Sequence, residues 1–255
     1  MKTFVFSATG NSLYVAKRIG GELYSIPQVI NQEKREFEDE VIGFVFPCYG
    51  FGLPRMIVDF LHMSKFKAEY FYAVMTYGNK AASGLKHLEN TGEEVGIKFD
   101  YTNEILMVDN YLPLFKIEDQ LNKEDSKKIE VKLEQIVSDI QSRRNLLTKK
   151  GIVSDAFSKV IHNLFMKKHL NTGDKQFIVQ EDCNSCKVCE KVCPKANIKV
   201  NFKPVFLHRC DGCYACIHHC PHNAIHLKYE RSSTRFINRN VKLQEIINAN
   251  NQYIK

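Results

Sequence analysis

A chain of 255 residues, 44% hydrophobic and 25% charged, has the composition of a globular protein and the length of one large domain or two smaller ones, which excludes a disordered or fibrous class. No apolar run reaches the ~18 residues of a spanning helix, and the start, MKTFVFSATGNS, is too soon interrupted for a signal peptide, so a cytoplasmic protein without a membrane span is expected. The formal net charge of +7 is concentrated between Arg143 and Lys175; without a nucleic-acid motif it reads as a solvated basic face, with docking of an acidic redox partner second and no nucleic acid.

Residues 1–112 alternate between apolar runs and helical periods. KTFVFSAT (2–9) reads as a buried strand, and SLYVAKRIGGEL (12–23) has helical spacing through Leu13, Ala16, Ile19 and Leu23. LYSIP (23–27) supplies a short strand. EVIGFVFPCY (40–49) and AEYFYAVMTY (68–77) are continuous apolar runs, followed by the helical periods PRMIVDFLHMS (54–64) and AASGLKHLENTG (81–92). FDYTNEILMVDNY (99–111) alternates as a last strand. Apolar runs separated by helices indicate a parallel sheet covered on both faces. The expected fold is α/β, with a doubly wound parallel sheet of five strands.

In such a sheet a ligand sits beyond the carboxyl ends of the strands. The first strand ends in Ser7-Ala8-Thr9-Gly10-Asn11-Ser12 at a helix start, where N–H groups, hydroxyls and the helix dipole suit a phosphate. The loop has no lysine, which excludes a P-loop, and no G-x-G-x-x-G, which argues against a dinucleotide. Later strands end in Pro47-Cys48-Tyr49-Gly50-Phe51-Gly52, in Thr76-Tyr77-Gly78-Asn79 and in Asp109-Asn110-Tyr111. Aromatics and glycines at consecutive strand ends suit a flat ring approached by backbone. These loops are therefore candidate flavin contacts, with Cys48 as a small residue packed beside the ring rather than a reactive thiol.

Residues 118–170 differ. EDSKKIEVKLEQIVSDIQSRR (124–144) is a charged amphipathic helix with Ile129, Leu133, Ile136 and Ile140 on one side. GIVSDAFSKVIHNLFMKKHL (151–170) is a second, apolar at Val153, Phe157, Val160, Ile161, Leu164 and Phe165. It is expected to pack as a bridge between domains, or else to lid the flavin with Phe157, Leu164 and Phe165. TGDK (172–175) is a linker.

Of nine cysteines only Cys48 lies outside residues 183–220. Cysteines packed this closely in a reducing compartment point to metal rather than disulfides. Cys183, Cys186, Cys189, Cys193 and Pro194 recur at an offset of 27 residues as Cys210, Cys213, Cys216, Cys220 and Pro221. Each half is C-x2-C-x2-C-x3-C-P, in which three thiolates curl around one cubane and the fourth reaches the other cluster. One 4Fe–4S cluster takes Cys183, Cys186, Cys189 and Cys220; the other takes Cys210, Cys213, Cys216 and Cys193. Zinc is the alternative, but its sites pair two C-x2-C knuckles across a longer loop. Nearby His208, His218, His219, His222 and His226 read as surface residues, since no ligand position is missing. The tail after Tyr229 is polar and rich in Asn.

Residues 176–229 resemble the two-cluster bacterial ferredoxins. The 7–12 loop resembles the flavodoxin pattern S/T-x-T-G-x-S/T at every defining position, and that resemblance covers about residues 1–140. It implies FMN rather than FAD, with Tyr49 stacked on the ring and the peptide at Tyr49-Gly50 or Phe51-Gly52 facing its reactive nitrogen. The basic charge and the lack of Trp depart from flavodoxins. The whole chain resembles the fused flavodoxin–ferredoxin proteins of anaerobic bacteria and archaea. The resemblance implies a flavodoxin-like domain at 1–145, a linking helical segment at 146–175, a small α+β two-cluster ferredoxin-like domain at 176–230 and a tail at 231–255. The expected function is electron transfer between two 4Fe–4S clusters and FMN, coupling one-electron to two-electron steps, with redox proteins as partners. The alternative is an FMN-dependent reductase of a small organic acceptor, such as a quinone or nitro compound, fed through the clusters.

Overall fold

The computed structural model describes residues 1–148 and 155–253, so Val153 and residues 152–154 of the expected lid lie outside the described residues. Its main sheet comprises β1 (Lys2–Val5), β2 (Glu22–Ser25), β3 (Val41–Pro47), β4 (Tyr70–Tyr77), β5 (Tyr101–Leu106) and β6 (Leu146–Leu147). The order is β2-β1-β3-β4-β5-β6, parallel throughout. Five strands fall on the five expected runs. The sixth corrects the expected count: two residues pairing with Tyr101 and Thr102 are too short to leave a period in the sequence. The first helix also stops sooner than its spacing suggests, at Ile19, where Gly20 caps it, and Leu23 lies on β2.

Successive strand residues point to opposite faces, which divides the core in two. Val5, Val45, Tyr72 and Val74 face the helices Asn11–Ile19 and Ile129–Gln141, meeting Leu13, Ile19, Leu133, Ile136 and Ile140. Phe4, Phe44, Phe46 and Met75 face the helices Arg55–Met63 and Gly84–Glu94, meeting Ile57, Phe60, Leu61 and Leu88. Each such fully buried side chain stabilises the fold by about 1.5–3 kcal/mol. The Phe4 ring alone lies within 5.7 Å of four phenylalanine rings, Phe37, Phe44, Phe60 and Phe66. Both faces are therefore closed, and ligand access is left to the strand ends.

The cysteine repeat is also a conformational repeat. The helical turns Val188–Lys191 and Ala215–His218 and the strands Ile198–Val200 and Ile225–Leu227 occupy matching places in the two halves. Left-handed backbone recurs at Ser185 and Gly212, at Lys187 and Tyr214, and at Ala196 and Asn223. Each half completes a two-stranded antiparallel ribbon, with Pro204–Phe206 and with Phe177–Val179.

Residues beyond Tyr229 are not a loose end. The helix Leu243–Asn250 buries Ile246 and Ile247 in the same apolar cluster as Val5, Val192 and Ala215. Sheet, cysteine loops and tail thus share one core. Among the described residues no helix is long and apolar enough to cross a membrane.

Candidate cofactor sites

A cavity of about 400 Å³ opens at the carboxyl ends of β1, β3, β4 and β5. Ser7, Thr9, Asn11 and Ser12 line it from the first loop; Pro47, Cys48, Tyr49, Gly50 and Phe51 from the second. Thr76, Tyr77, Gly78 and Asn79 line it from the third; Asp109, Asn110 and Tyr111 from the fourth. Gly10 and Gly52, expected with them, do not line it. Gly10 backs onto the tail: a Cβ there would stand 2.9 Å from Asn238 Cβ and 3.1 Å from Val241 Cβ. A Cβ on Gly52 would stand 2.5 Å from the His162 ring. Their part is to let other segments close on the loops.

Hydrogen bonds fix the first loop. Ser7 Oγ accepts from the Gly10 N–H (3.1 Å), Asn110 Nδ2 donates to Thr9 Oγ1 (2.7 Å), and the Ser12 and Thr76 hydroxyls pair at 2.9 Å. The second loop is a tight turn in which Tyr49 and Gly52 exchange N–H···O bonds of 2.9 and 3.1 Å. Gly50 (φ 54°) and Phe51 (φ 71°) are both left-handed, as a type I′ turn requires. The Cys48 N–H donates to the Thr76 carbonyl (2.8 Å), and burial pushes its thiol up to about 12, away from a reactive thiolate. Burial also raises the Asp109 carboxyl at the cavity wall above its ordinary range.

The helix Asp155–His169 covers the cavity with Ile161 and Phe165. Phe165 lies 6.0 Å from the Tyr49 ring and 5.7 Å from the Tyr111 ring. Phe157 and Leu164, the other expected lid residues, are 54% and 59% exposed and do not line it. The helix is pinned where His162 Nδ1 donates to the Tyr49 carbonyl (2.9 Å). His169 Nδ1 donates to the Phe165 carbonyl (2.8 Å), which leaves Nε2 as an acceptor beside the Tyr111 (3.2 Å) and Tyr214 (3.1 Å) hydroxyls, one of which donates to it.

The remaining wall comes from the cysteine module: Gly212, Cys213 and Tyr214 line the same cavity as the strand-end loops. Two histidines expected at the surface are buried in this junction instead. His218 Nε2 donates to the Asn110 carbonyl (2.9 Å) while Nδ1 accepts from the Phe236 N–H (3.1 Å). His219 Nε2 donates to the Ala8 carbonyl (3.0 Å). Burial pushes them down to about 3 and about 4, so both are neutral donors. They replace water at two carbonyls that domain contact would otherwise strand.

Cys183, Cys186, Cys189 and Cys220 line a second, smaller cavity with Val200, Pro204, Pro221 and Ile225. Cys193 stands instead among Cys210, Cys213 and Cys216: its thiol is one of the neighbours that, after burial, push theirs upward. Backbone N–H groups aim at sulfur in both halves, Asn197 at Cys193 (3.3 Å) and Ala224 at Cys220 (3.2 Å). Gly212 aims at Cys210 (3.3 Å). Among the described residues no three His, Cys, Asp or Glu side chains are grouped so as to hold a single metal ion.

Residues 204–226 match the 4Fe-4S binding domain family. Over 73 residues the chain is 33% identical to one subunit of the ion-translocating oxidoreductase complex of Methanosarcina acetivorans, an alignment covering 28% of this chain and 27% of that relative. The Trp repressor binding protein structure from Bacillus subtilis is 16% identical, with a TM-score of 0.30, covering 59% of this chain and all of that one, and carries no conclusion. The chain thus matches the 4Fe-4S binding domain family in its C-terminal part, which is joined to an α/β fold built on a parallel sheet.

Proposed function

We propose that this chain binds FMN at the strand-end cavity and two 4Fe–4S clusters among its eight paired cysteines, and carries electrons between them and redox partner proteins. One observation carries the reading. Cys213, in the second cysteine run, lines the same cavity as the four strand-end loops, so anything held there abuts a cluster loop. When bound, cubanes supply one-electron steps and FMN one- or two-electron steps.

The residues present fit these groups. The Thr9 and Ser12 hydroxyls and the loop backbone at the start of the Asn11–Ile19 helix suit a phosphate. Tyr49, Tyr111 and Phe165 give the cavity flat apolar walls, and the helix above them excludes water. Cys183, Cys186, Cys189 and Cys220 surround one cavity, the crossed set expected of one cluster. Cys210, Cys213, Cys216 and Cys193 make the other. Cys186 is exposed, so redox proteins, acidic ones by charge, would meet the first cluster. Similarity to part of an oxidoreductase complex supports protein partners, and a cytoplasmic setting suits free thiols.

Protein purified without air is expected to hold about eight irons, about eight labile sulfides and about one FMN. A preparation that takes up neither iron and sulfide nor FMN on reconstitution overturns the reading. The second reading, reduction of a small organic acceptor at the flavin, is favoured by the exposed Leu114 at the cavity mouth. Steady turnover of a quinone by reduced ferredoxin selects it; transfer to proteins alone selects the carrier.

A further inference from the structure

We propose that Asn238 and Asn250, in the segment beyond the cysteine module, are positioning residues of the 7–12 loop and set its preference for a phosphorylated ligand. The proposal rests on reading that loop as the FMN phosphate site.

The backbone N–H of Asn238 donates to the Thr9 carbonyl (2.9 Å), and its Nδ2 donates to Asn11 Oδ1 (3.0 Å). Its own Oδ1 accepts from the Asn240 N–H (3.0 Å), which fixes the amide's orientation. Asn11 Nδ2, so oriented, donates to the Val108 carbonyl (3.1 Å). Asn250 is fully buried, and its Nδ2 donates to the Ser7 carbonyl (3.0 Å) and the Val192 carbonyl (3.3 Å).

With His219 on Ala8, the carbonyls of Ser7, Ala8 and Thr9 are all held from outside the α/β domain. In a planar trans peptide the carbonyl and the following N–H point opposite ways. Tying the Ser7 and Ala8 carbonyls to the tail and the cysteine module turns the Ala8 and Thr9 N–H groups to the other side, where those residues line the cavity. An independent feature agrees. Gly10 is left-handed (φ 101°), and the space beside it is filled by Asn238 and Val241, so the loop and the tail segment are seated on each other.

Riboflavin lacks the phosphate and separates this role from a structural one. The test compares dissociation constants of FMN and riboflavin for the full chain with its clusters in place. Asn238→Ala and Asn250→Ala are each expected to weaken FMN roughly tenfold, about one buried hydrogen bond, with riboflavin nearly unchanged. Lys17→Gln breaks only the surface ion pair of the tail with Glu245 (2.6 Å) and is expected to keep the wild-type ratio. Equal weakening of both ligands, or of neither, overturns the proposal. Should one variant not fold, the other decides, because each acts on the loop from a separate point. Wild-type protein that binds FMN no better than riboflavin overturns the phosphate reading itself, which is a distinguishable result.

Discussion

Cys193 and Cys220 sit at equivalent places in the repeat, and each lies beside the cysteines of the opposite half. Cys220 joins the cavity of Cys183, Cys186 and Cys189, while Cys193 lies with the thiols of Cys210, Cys213 and Cys216. The left-handed residues Lys187 and Tyr214 open each helical turn so that the next cysteine faces inward. On the proposed ligation, Cys193→Ala and Cys220→Ala each leave about four irons per chain. They differ in consequence. Cys193→Ala removes the cluster beside the strand-end cavity and is expected to uncouple flavin reduction from the surviving cluster. Cys220→Ala leaves that cluster, and its electrons still reach FMN. Iron analysis with stopped-flow absorbance separates the two, and equal flavin reduction rates would refute the order.

The helix Asp155–His169 covers the cavity with Ile161 and Phe165, and its hold there involves two rings. His162 reaches the Tyr49 carbonyl, and His87, 5.0 Å away, accepts from the Leu53 N–H at 3.3 Å. Burial pushes His87 down to about 4, with His162 opposing its charge further; Glu94 offsets part of this and Lys159 adds to it. Burial lowers His162 also. The sign follows: a histidine that is harder to protonate folded than unfolded stabilises the fold fully above about pH 6.5 and loses that contribution as pH falls toward its folded value. The thermal midpoint is therefore expected to fall between about pH 6.5 and about pH 4, and to fall less in His87→Gln, which cannot take the proton. Melting curves across that window check it; identical pH dependence in the variant would remove the histidine pair as the cause.

At the scale of the molecule, the tail joins two parts that a linear description separates. Lys17 pairs with Glu245, Gln28 donates to the Asn251 carbonyl (2.6 Å), and the Tyr253 hydroxyl reaches the Ile198 carbonyl (3.1 Å). The surface pair adds little; burial of Ile246 and Ile247 supplies most of the hold, at about 1.5–3 kcal/mol each. Ending the chain at Lys242 is expected to cost about 3–6 kcal/mol in stability and to weaken FMN binding at least as much as Asn250→Ala, because Asn250 goes with the helix. Calorimetry of the truncated protein, with flavin retained on the column as a second reading, tests this. An unchanged melting temperature would show the tail to be an appendage.

The cysteine repeat was legible because the cysteines of each half fall within a few residues of one another, at a spacing set by local geometry. The parallel sheet was readable because buried strands leave apolar runs and because parallel strands end on one edge, which collects loops 7–12, 47–52, 76–79 and 109–111. A helix shows its apolar arc in sequence but not which part of it docks. Phe165 and Ile161 therefore turned inward while Phe157 and Leu164, on the same arc, stayed exposed. The burial of His218 and His219, the backing role of Gly10 and Gly52, and the grip of Asn238 and Asn250 on residues 227 and 243 positions away left no local pattern at all. Polar contacts of that reach are decided when the parts pack, since only then does a buried carbonyl demand a donor and a nearby amide supply it.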